Sequence, residues 1–426
     1  MDKNAKAPYL AGSIDIRAAG PRCRMLAGDL DGDGRMELVL VQPDNRQDVR
    51  FVPHQTQCLT AFDLDGRQLW QVGKPDPGAG SAGSDYPAQI ADVDGDGQIE
   101  VLCVMNDRLL VLSGRTGEQK RSFGLPHPEA HDCIVAARLT NASWAGDFLL
   151  KDRYRTLWAL DANGRVLWKH EGNTGHYPWV YDFDGDGLDE VMVGYDLLDH
   201  DGRLLWSCRG LDDHADCIWV GDVNGDGEPE IVIGGSVTVM YDPRGNELWR
   251  YSGSVESQHI ALGRFRPELA GLQVAGLDRL VREDDGLGRK GKDAIFLLDS
   301  EGRELWKEDR KTDGWLTIVE PLGFWAPDAP DYILAYRRGG GVAPALYDGH
   351  MEVVVRFPTE GYALHADLCG TGLEQVVLYT DERACVYSSV ALELRNTRSD
   401  RPLPQPKRLS NSTLYPGGEV PLVSPR

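Results

Sequence analysis

The chain lacks several things, and each absence removes a class of function. No run of residues is apolar for long enough to cross a bilayer as a helix, which takes about twenty. Cations are in the minority: 45 Lys and Arg against 67 Asp and Glu leave a formal charge of −22. That balance repels a phosphate backbone and argues against a general nucleic-acid binder. Cys-x-x-Cys pairs are absent. The eight cysteines (23, 58, 103, 133, 208, 217, 369 and 385) stand singly, in apolar runs such as Val101-Leu102-Cys103-Val104, and read as small buried hydrophobes. Met1 to Lys6 has no apolar leader core, and with free thiols this favours a reducing, cytoplasmic setting, or a secreted one if a leader was trimmed. Amphipathic periodicity of helical length is missing as well. What the chain has instead is turn residues, 49 Gly and 24 Pro.

Two signatures alternate along the sequence. One is an acidic turn: Asp29, Asp31, Asp33 and Glu37; Asp92, Asp94, Asp96 and Glu100; Asp182, Asp184, Asp186 and Glu190; Asp222, Asn224, Asp226 and Glu230. The other is a glycine turn leading into Leu-Trp, at Gly66 to Trp70, Gly164 to Trp168, Gly202 to Trp206, Gly245 to Trp249 and Gly302 to Trp306. Short β-branched runs such as Ile231-Val232-Ile233 follow the acidic turns and read as strands.

Units begin near residues 24, 87, 132, 178, 217, 258, 315 and 363. Their mean spacing of about 48 residues is that of a four-stranded blade. The predicted fold is all-β, a single eight-bladed propeller of antiparallel blades over 1–396, with seven blades as the alternative if one degenerate unit is an insertion. The acidic turn has decayed in units three, six, seven and eight. The last unit has room for about three strands, so the alternating segment Ser13 to Arg17 is expected to complete it and close the ring, leaving no open edge. The Pro-rich tail, 397–426, is expected to pack on the propeller, and the whole to be a monomer.

Carboxylates at positions one, three and five of a turn, with Gly at six and Glu at nine, gather hard oxygen ligands around one point, as Ca²⁺ requires. Strands flank these turns and the Glu falls at nine rather than twelve, so they are not EF-hands. Up to four structural calcium ions bracing the blades are expected. The pattern resembles the FG-GAP or VCBS type of calcium-binding propeller repeat, found also in integrin α-subunits. The Leu-Trp turns are similar to those of quinoprotein propellers, whose tryptophans dock neighbouring blades, although those proteins lack the acidic loops.

The acidic turns join the first and second strands of each blade, so residues just before each first strand collect at the opposite mouth. There the sequence places His131, His176 with Tyr177, His214, His259, His365 and, in unit two, Tyr86. Five of the ten histidines share this position, which chance placement would not give. Loops between second and third strands add Arg108, Lys151, Arg153 with Tyr154, Arg279, and Arg337 with Arg338, and the two long ones, about 43–57 and 280–294, are candidate funnel walls. Histidine, tyrosine and arginine together suit β-elimination at a uronic acid. The carboxylate is neutralised, the α-proton is removed by a base and the leaving oxygen is protonated. No paired catalytic carboxylates are evident on this face, which counts against a glycosidase.

The residues His131-Asp132, Lys151-Asp152-Arg153-Tyr154, Gly175-His176-Tyr177-Pro178 and Gln258-His259 resemble those of the β-propeller polysaccharide lyases that act on ulvan, rhamnogalacturonan and rhamnose–glucuronate glycans. The resemblance implies a lyase acting on a uronate-containing oligo- or polysaccharide. It casts His131 and His176 as base or neutraliser and Tyr177 as acid, with Lys151 and Arg153 on the carboxylate. Tyr195-Asp196 stand after Gly194, where some of these enzymes carry an Arg. The rival readings are a non-catalytic carbohydrate- or protein-binding propeller, as in integrins, and a glycoside hydrolase.

Overall fold

Runs such as Cys217–Gly221 and Glu230–Gly234 are buried at every position, which only strands covered on both faces can be. The outermost strands, such as Glu247–Tyr251, expose most of their residues. In the computed structural model, which describes residues 6–43, 54–79, 85, 88–211, 214–281, 292–309, 317–337, 342–394 and 417–422, this gradient runs outward through eight separate sheets. The eight-bladed reading holds, and the seven-bladed alternative does not.

The innermost strands are Arg24–Gly28, Ala88–Ala91, Cys133–Ala137, Trp179–Tyr181, Cys217–Gly221, Ser257–Gly263, Thr317–Leu322 and Tyr362–Ala366. Each heads an antiparallel sheet whose strands follow in chain order; blade eight takes its fourth strand from the N-terminal segment. That strand is Tyr9–Asp15, pairing antiparallel with Arg383–Ser388 from Tyr9 opposite Ser388 to Asp15 opposite Arg383. Blade five carries a fifth strand: Gly418–Glu419 lies parallel to its innermost strand, on the axis side, with Gly418 opposite Trp219. Residues 397–416 and 423–426 of the Pro-rich tail, Tyr86, Arg338 and most of both long loops lie outside the described residues. No helix among the described residues is long and apolar enough to cross a membrane.

The acidic turns join first to second strands, as expected. Asp29 shows the design: Oδ1 accepts the Gly32 N–H and Oδ2 the Gly34 N–H, at 2.8 and 3.1 Å. Glu37, at position nine, accepts the Leu30 N–H at 2.8 Å. That last bond survives where the acidic set has decayed. Asp147 takes the Leu139 N–H, Gln273 the Arg266 N–H and Gln375 the Leu368 N–H. Position nine is therefore a backbone anchor as well as a candidate ligand.

The Leu-Trp turns dock blade to blade. The indole N–H of Trp70 donates to the Gly114 carbonyl of blade two, Trp168 to His200 of blade four, Trp206 to Pro243 of blade five and Trp249 to Ser300 of blade six. Each ring lies on a turn glycine. Gly245, at φ +85°, would put a Cβ 2.6 Å from Trp206 Cγ. Gly245→Ala therefore combines a left-handed backbone with a clash, and is expected to cost about 1–3 kcal/mol, read as a lower urea midpoint at unchanged slope.

Candidate functional site

The segments entering strands one of blades three, four and five meet the loops leaving their second strands at one mouth of the ring. Close approach there requires bare glycine: Gly194, at φ +59°, would set a Cβ 1.9 Å from the Asn173 carbonyl. At the centre lies His176, 3% exposed. Its Nδ1–H donates to Asp85 at 2.8 Å, which leaves the lone pair on Nε2. Nε2 faces the Tyr154 hydroxyl at 3.4 Å and Asp216 Oδ1 at 3.6 Å. The Tyr154 and His214 rings pack against the His176 ring, and His214 Nε2 is 3.5 Å from the same Asp216 oxygen. Burial holds His176 well below the ordinary imidazole range, against the opposing pull of Asp216, so the ring is neutral at neutral pH.

Asp132 is the second hub. It is fully buried, and burial raises its pKa despite Lys151 and Arg153 beside it. Lys151 Nζ lies 3.2 Å from Asp132 and donates to the carbonyls of Asp152, Arg153 and Gly175 at 2.8 to 2.9 Å. Arg153 lays two nitrogens on the other Asp132 oxygen. The Asp85 N–H donates to Asp132 and the Asp85 carbonyl accepts from Arg24, so both hubs belong to one network.

The sequence-predicted residues divide accordingly. His176, Tyr154, His214, Lys151 and Arg153 are brought together. Lys151 is entirely buried and saturated with oxygen partners, so it braces the loop rather than reaching a ligand. Tyr177 turns the other way, into the hydrophobic cluster between blades, with its ring 5.9 Å from Trp179. His131 and His259 are buried at the same mouth. Arg108 lies back on Ser122 of its own blade, Arg279 is clasped by Glu256, and Arg337 ends the second strand of blade seven opposite Thr317. His365 is at the other mouth: its strand begins at Tyr362, three residues before it, so it sits near the strand's far end.

There His365 bridges Glu374 at 2.9 Å and Glu320 at 3.1 Å, tying blade seven to blade eight. Burial opposes the charge, but the two carboxylates prevail and raise its pKa to about 10. A raised imidazole contributes stability in full below its unfolded value near 6.5 and loses it as pH climbs towards 10. Urea midpoints are expected to fall over that window, and His365→Gln to flatten the fall.

Sequence reasoning passed over Asp85 and Asp216, and with them the carboxylates of this face. A signal existed: Asp132-Cys133 and Asp216-Cys217 put an aspartate directly before the cysteine that opens the strand. Asp85 pairs with His176 and Asp132 with Lys151 and Arg153, while Asp216 Oδ1 lies 3.5 to 3.6 Å from the His214 and His176 rings. One ligand atom each from His176, His214 and Asp216 falls within 4.8 Å of the others, a set able to hold a metal ion.

On the opposite face Asp29, Asp31 and Asp33 converge in the same way, as do Asp92, Asp94 and Asp96, and Asp182, Asp184 and Glu190. Burial and neighbouring carboxylates push Glu37 up to about 8 and Glu190 and Glu230 to about 7, as expected of acids gathered with no counter-charge. Two turns carry their own donors. Lys120 Nζ reaches Asp94 and Glu100 at 2.7 Å, and the Asn224 amide donates to Asp226 and Glu230.

Comparison with known proteins agrees with the propeller fold. The family model of the rhamnogalacturonan lyase family 11 C-terminal domain matches residues 22–121. The chain resembles rhamnogalacturonan lyases. It is 27% identical over 258 residues to the rhamnogalacturonan endolyase YesW of Bacillus subtilis, and 26% identical over 255 residues to the exolyase YesX of the same organism. Each match takes in 46% of this chain but only 40% and 41% of the relative, so less than half of either protein is compared. The crystal structure of YesX shares the fold over 90% of this chain and 76% of its own, with a TM-score of 0.68 at 21% identity.

Proposed function

We propose that this protein is a polysaccharide lyase that cleaves a uronate-containing, rhamnogalacturonan-type glycan by β-elimination. The observation that carries the reading is the Asp85–His176–Tyr154 relay at the mouth of the ring. Asp85 fixes the tautomer, and burial keeps His176 neutral, so that Nε2 can take the proton from the carbon next to the uronate carboxylate. The C4–O bond breaks as the C4–C5 double bond forms. Tyr154, within reach of the same nitrogen, protonates the departing oxygen and recovers its proton from His176. Arg153, at the rim of the Asp132 hub, faces the carboxylate. A metal ion on His176, His214 and Asp216 would take up the Nε2 lone pair, so it is an alternative to the base role and not an addition to it. The resemblance to rhamnogalacturonan lyases supports the substrate class, and the endo or exo mode is left to product analysis.

The test is incubation with rhamnogalacturonan, ulvan and gum arabic, following the ultraviolet absorbance of an unsaturated uronate. Saturated reducing ends without that absorbance would identify a hydrolase, and binding without either product a non-catalytic propeller. We also propose structural Ca²⁺ in the acidic turns. A chelator is then expected to lower the melting temperature, since saturation a hundredfold above Kd contributes about 2.7 kcal/mol per site. Initial turnover measured before unfolding should persist; its immediate loss would mean that an ion sits on His176, His214 and Asp216.

A further inference from the structure

We propose that blade four holds a first-row transition ion between Glu190, Asp199 and His200, beside its acidic turn and separate from the mouth that carries His176. One ligand atom from each of the three residues lies within 4.8 Å of the other two. Glu190 is 2% exposed. Its Oε2 accepts the Phe183 N–H at 2.7 Å, while Oε1 is buried with no hydrogen-bond partner. In blade two the corresponding oxygen receives Lys120, and in blade five the Asn224 amide, both at 2.7 Å. Blade four supplies neither donor. His200 Nδ1 likewise forms no hydrogen bond, although Asp199 Oδ1 is only 2.9 Å away.

Asp199 departs from the repeat in a way that serves this site. It opens the turn between third and fourth strands, as Asp63, Asp161, Asp242, Asp299 and Asp348 do in other blades. In those five, one carboxylate oxygen accepts the N–H groups two and four residues on, as Asp242 does from Arg244 and Asn246. In blade four the backbone turn is the same, with Asp199 N–H donating to Arg203 O, yet Asp201 takes the Arg203 N–H instead. Asp199 therefore does not hold the N–H groups that its counterparts cap. Arg203 holds its Oδ2, and Oδ1 accepts the His200 backbone N–H at 2.9 Å while lying 2.9 Å from His200 Nδ1. The next position is Leu64, Ala162, Pro243, Ser300 or Gly349 in the other five turns, and an imidazole here alone.

Two carboxylates and an imidazole form a mixed oxygen and nitrogen set. Ca²⁺ is served by all-oxygen cages, whereas Mn²⁺, Co²⁺ and Zn²⁺ accept imidazole readily. Three protein ligands leave further positions for water. A cleft of about 430 Å³ between blades four and five, lined by Asp184, Glu190, Asp199, Asp226 and Glu230, gives a cation an acidic approach. Glu190 also belongs to the triad with Asp182 and Asp184, so it can share its two oxygens between neighbouring ions.

The test uses the full chain, stripped with chelator and reloaded with excess Ca²⁺, then titrated with Co²⁺ and read by visible absorption and bound-metal analysis. The wild type is expected to bind a Co²⁺ that millimolar Ca²⁺ does not displace. His200→Ala should lose one equivalent, and Asp199→Asn should weaken it at least about tenfold, with both variants keeping the wild-type melting temperature in Ca²⁺ alone. His176→Ala separates the two faces, because it cannot affect this equivalent. Equal Co²⁺ stoichiometry in wild type and His200→Ala, or Co²⁺ fully displaced by Ca²⁺, would overturn the proposal whatever becomes of the lyase reading.

Discussion

Replacing His176 with alanine is expected to lower kcat/KM on a rhamnogalacturonan-type substrate by about 10²- to 10⁴-fold, the range for loss of a positioned general base. Asp85→Asn keeps the ring in place but removes the charge that fixes its tautomer, and should cost less than His176→Ala while changing the pH profile. The sign follows from burial. His176 is held below the ordinary imidazole value near 6.5, so the wild-type acid limb is expected well under that pH. Tyr154→Phe should leave substrate binding nearly intact and lower kcat. Wild-type rates in His176→Ala would remove the base from the mechanism.

Lys151→Met is expected to produce the largest loss of stability, about 3–5 kcal/mol, as when one partner of a buried ion pair is deleted. Lys151 and Asp132 have side chains at 0% exposure, so the carboxylate left behind has only Arg153 to compensate it. Three carbonyls lose their donor in the same change, among them Gly175, next to His176. Adding Asp132→Asn should recover part of the loss, and urea denaturation of the four-member cycle measures the coupling. A change of less than about 1 kcal/mol would show that the loops of blades three and four are held by something else.

The ring was legible because its signals are local and repeat: an acidic turn, a β-branched run, a Gly turn into Leu-Trp. Even the closing strand could be inferred from a last unit one strand short. The site was half legible. Residues such as His176 and His214 were found because they recur at one phase of the repeat. Their partners are set by side-chain direction, which phase does not encode. The resemblance casts Tyr177 as the acid, yet Tyr177 faces Trp179 in the core and it is Tyr154 that faces His176. His365 misled for a related reason: three residues of strand moved it from one mouth to the other. The cations were counted correctly but as available charge, when Lys151 is buried against Asp132 and Arg279 is held by Glu256.

The strand that completes blade eight also sets a clock for synthesis. Ser13 pairs with Cys385, 372 positions along the chain. At about 5–20 residues per second, a ribosome takes roughly 20–75 s to travel between them. For that interval Tyr9–Asp15 has left the ribosome with its partner unmade, while blades one to seven can assemble behind it. Leu10 and Tyr9 remain more than half exposed even in the finished ring, so the apolar surface of this strand that closure hides is that of Ala11 and Ile14.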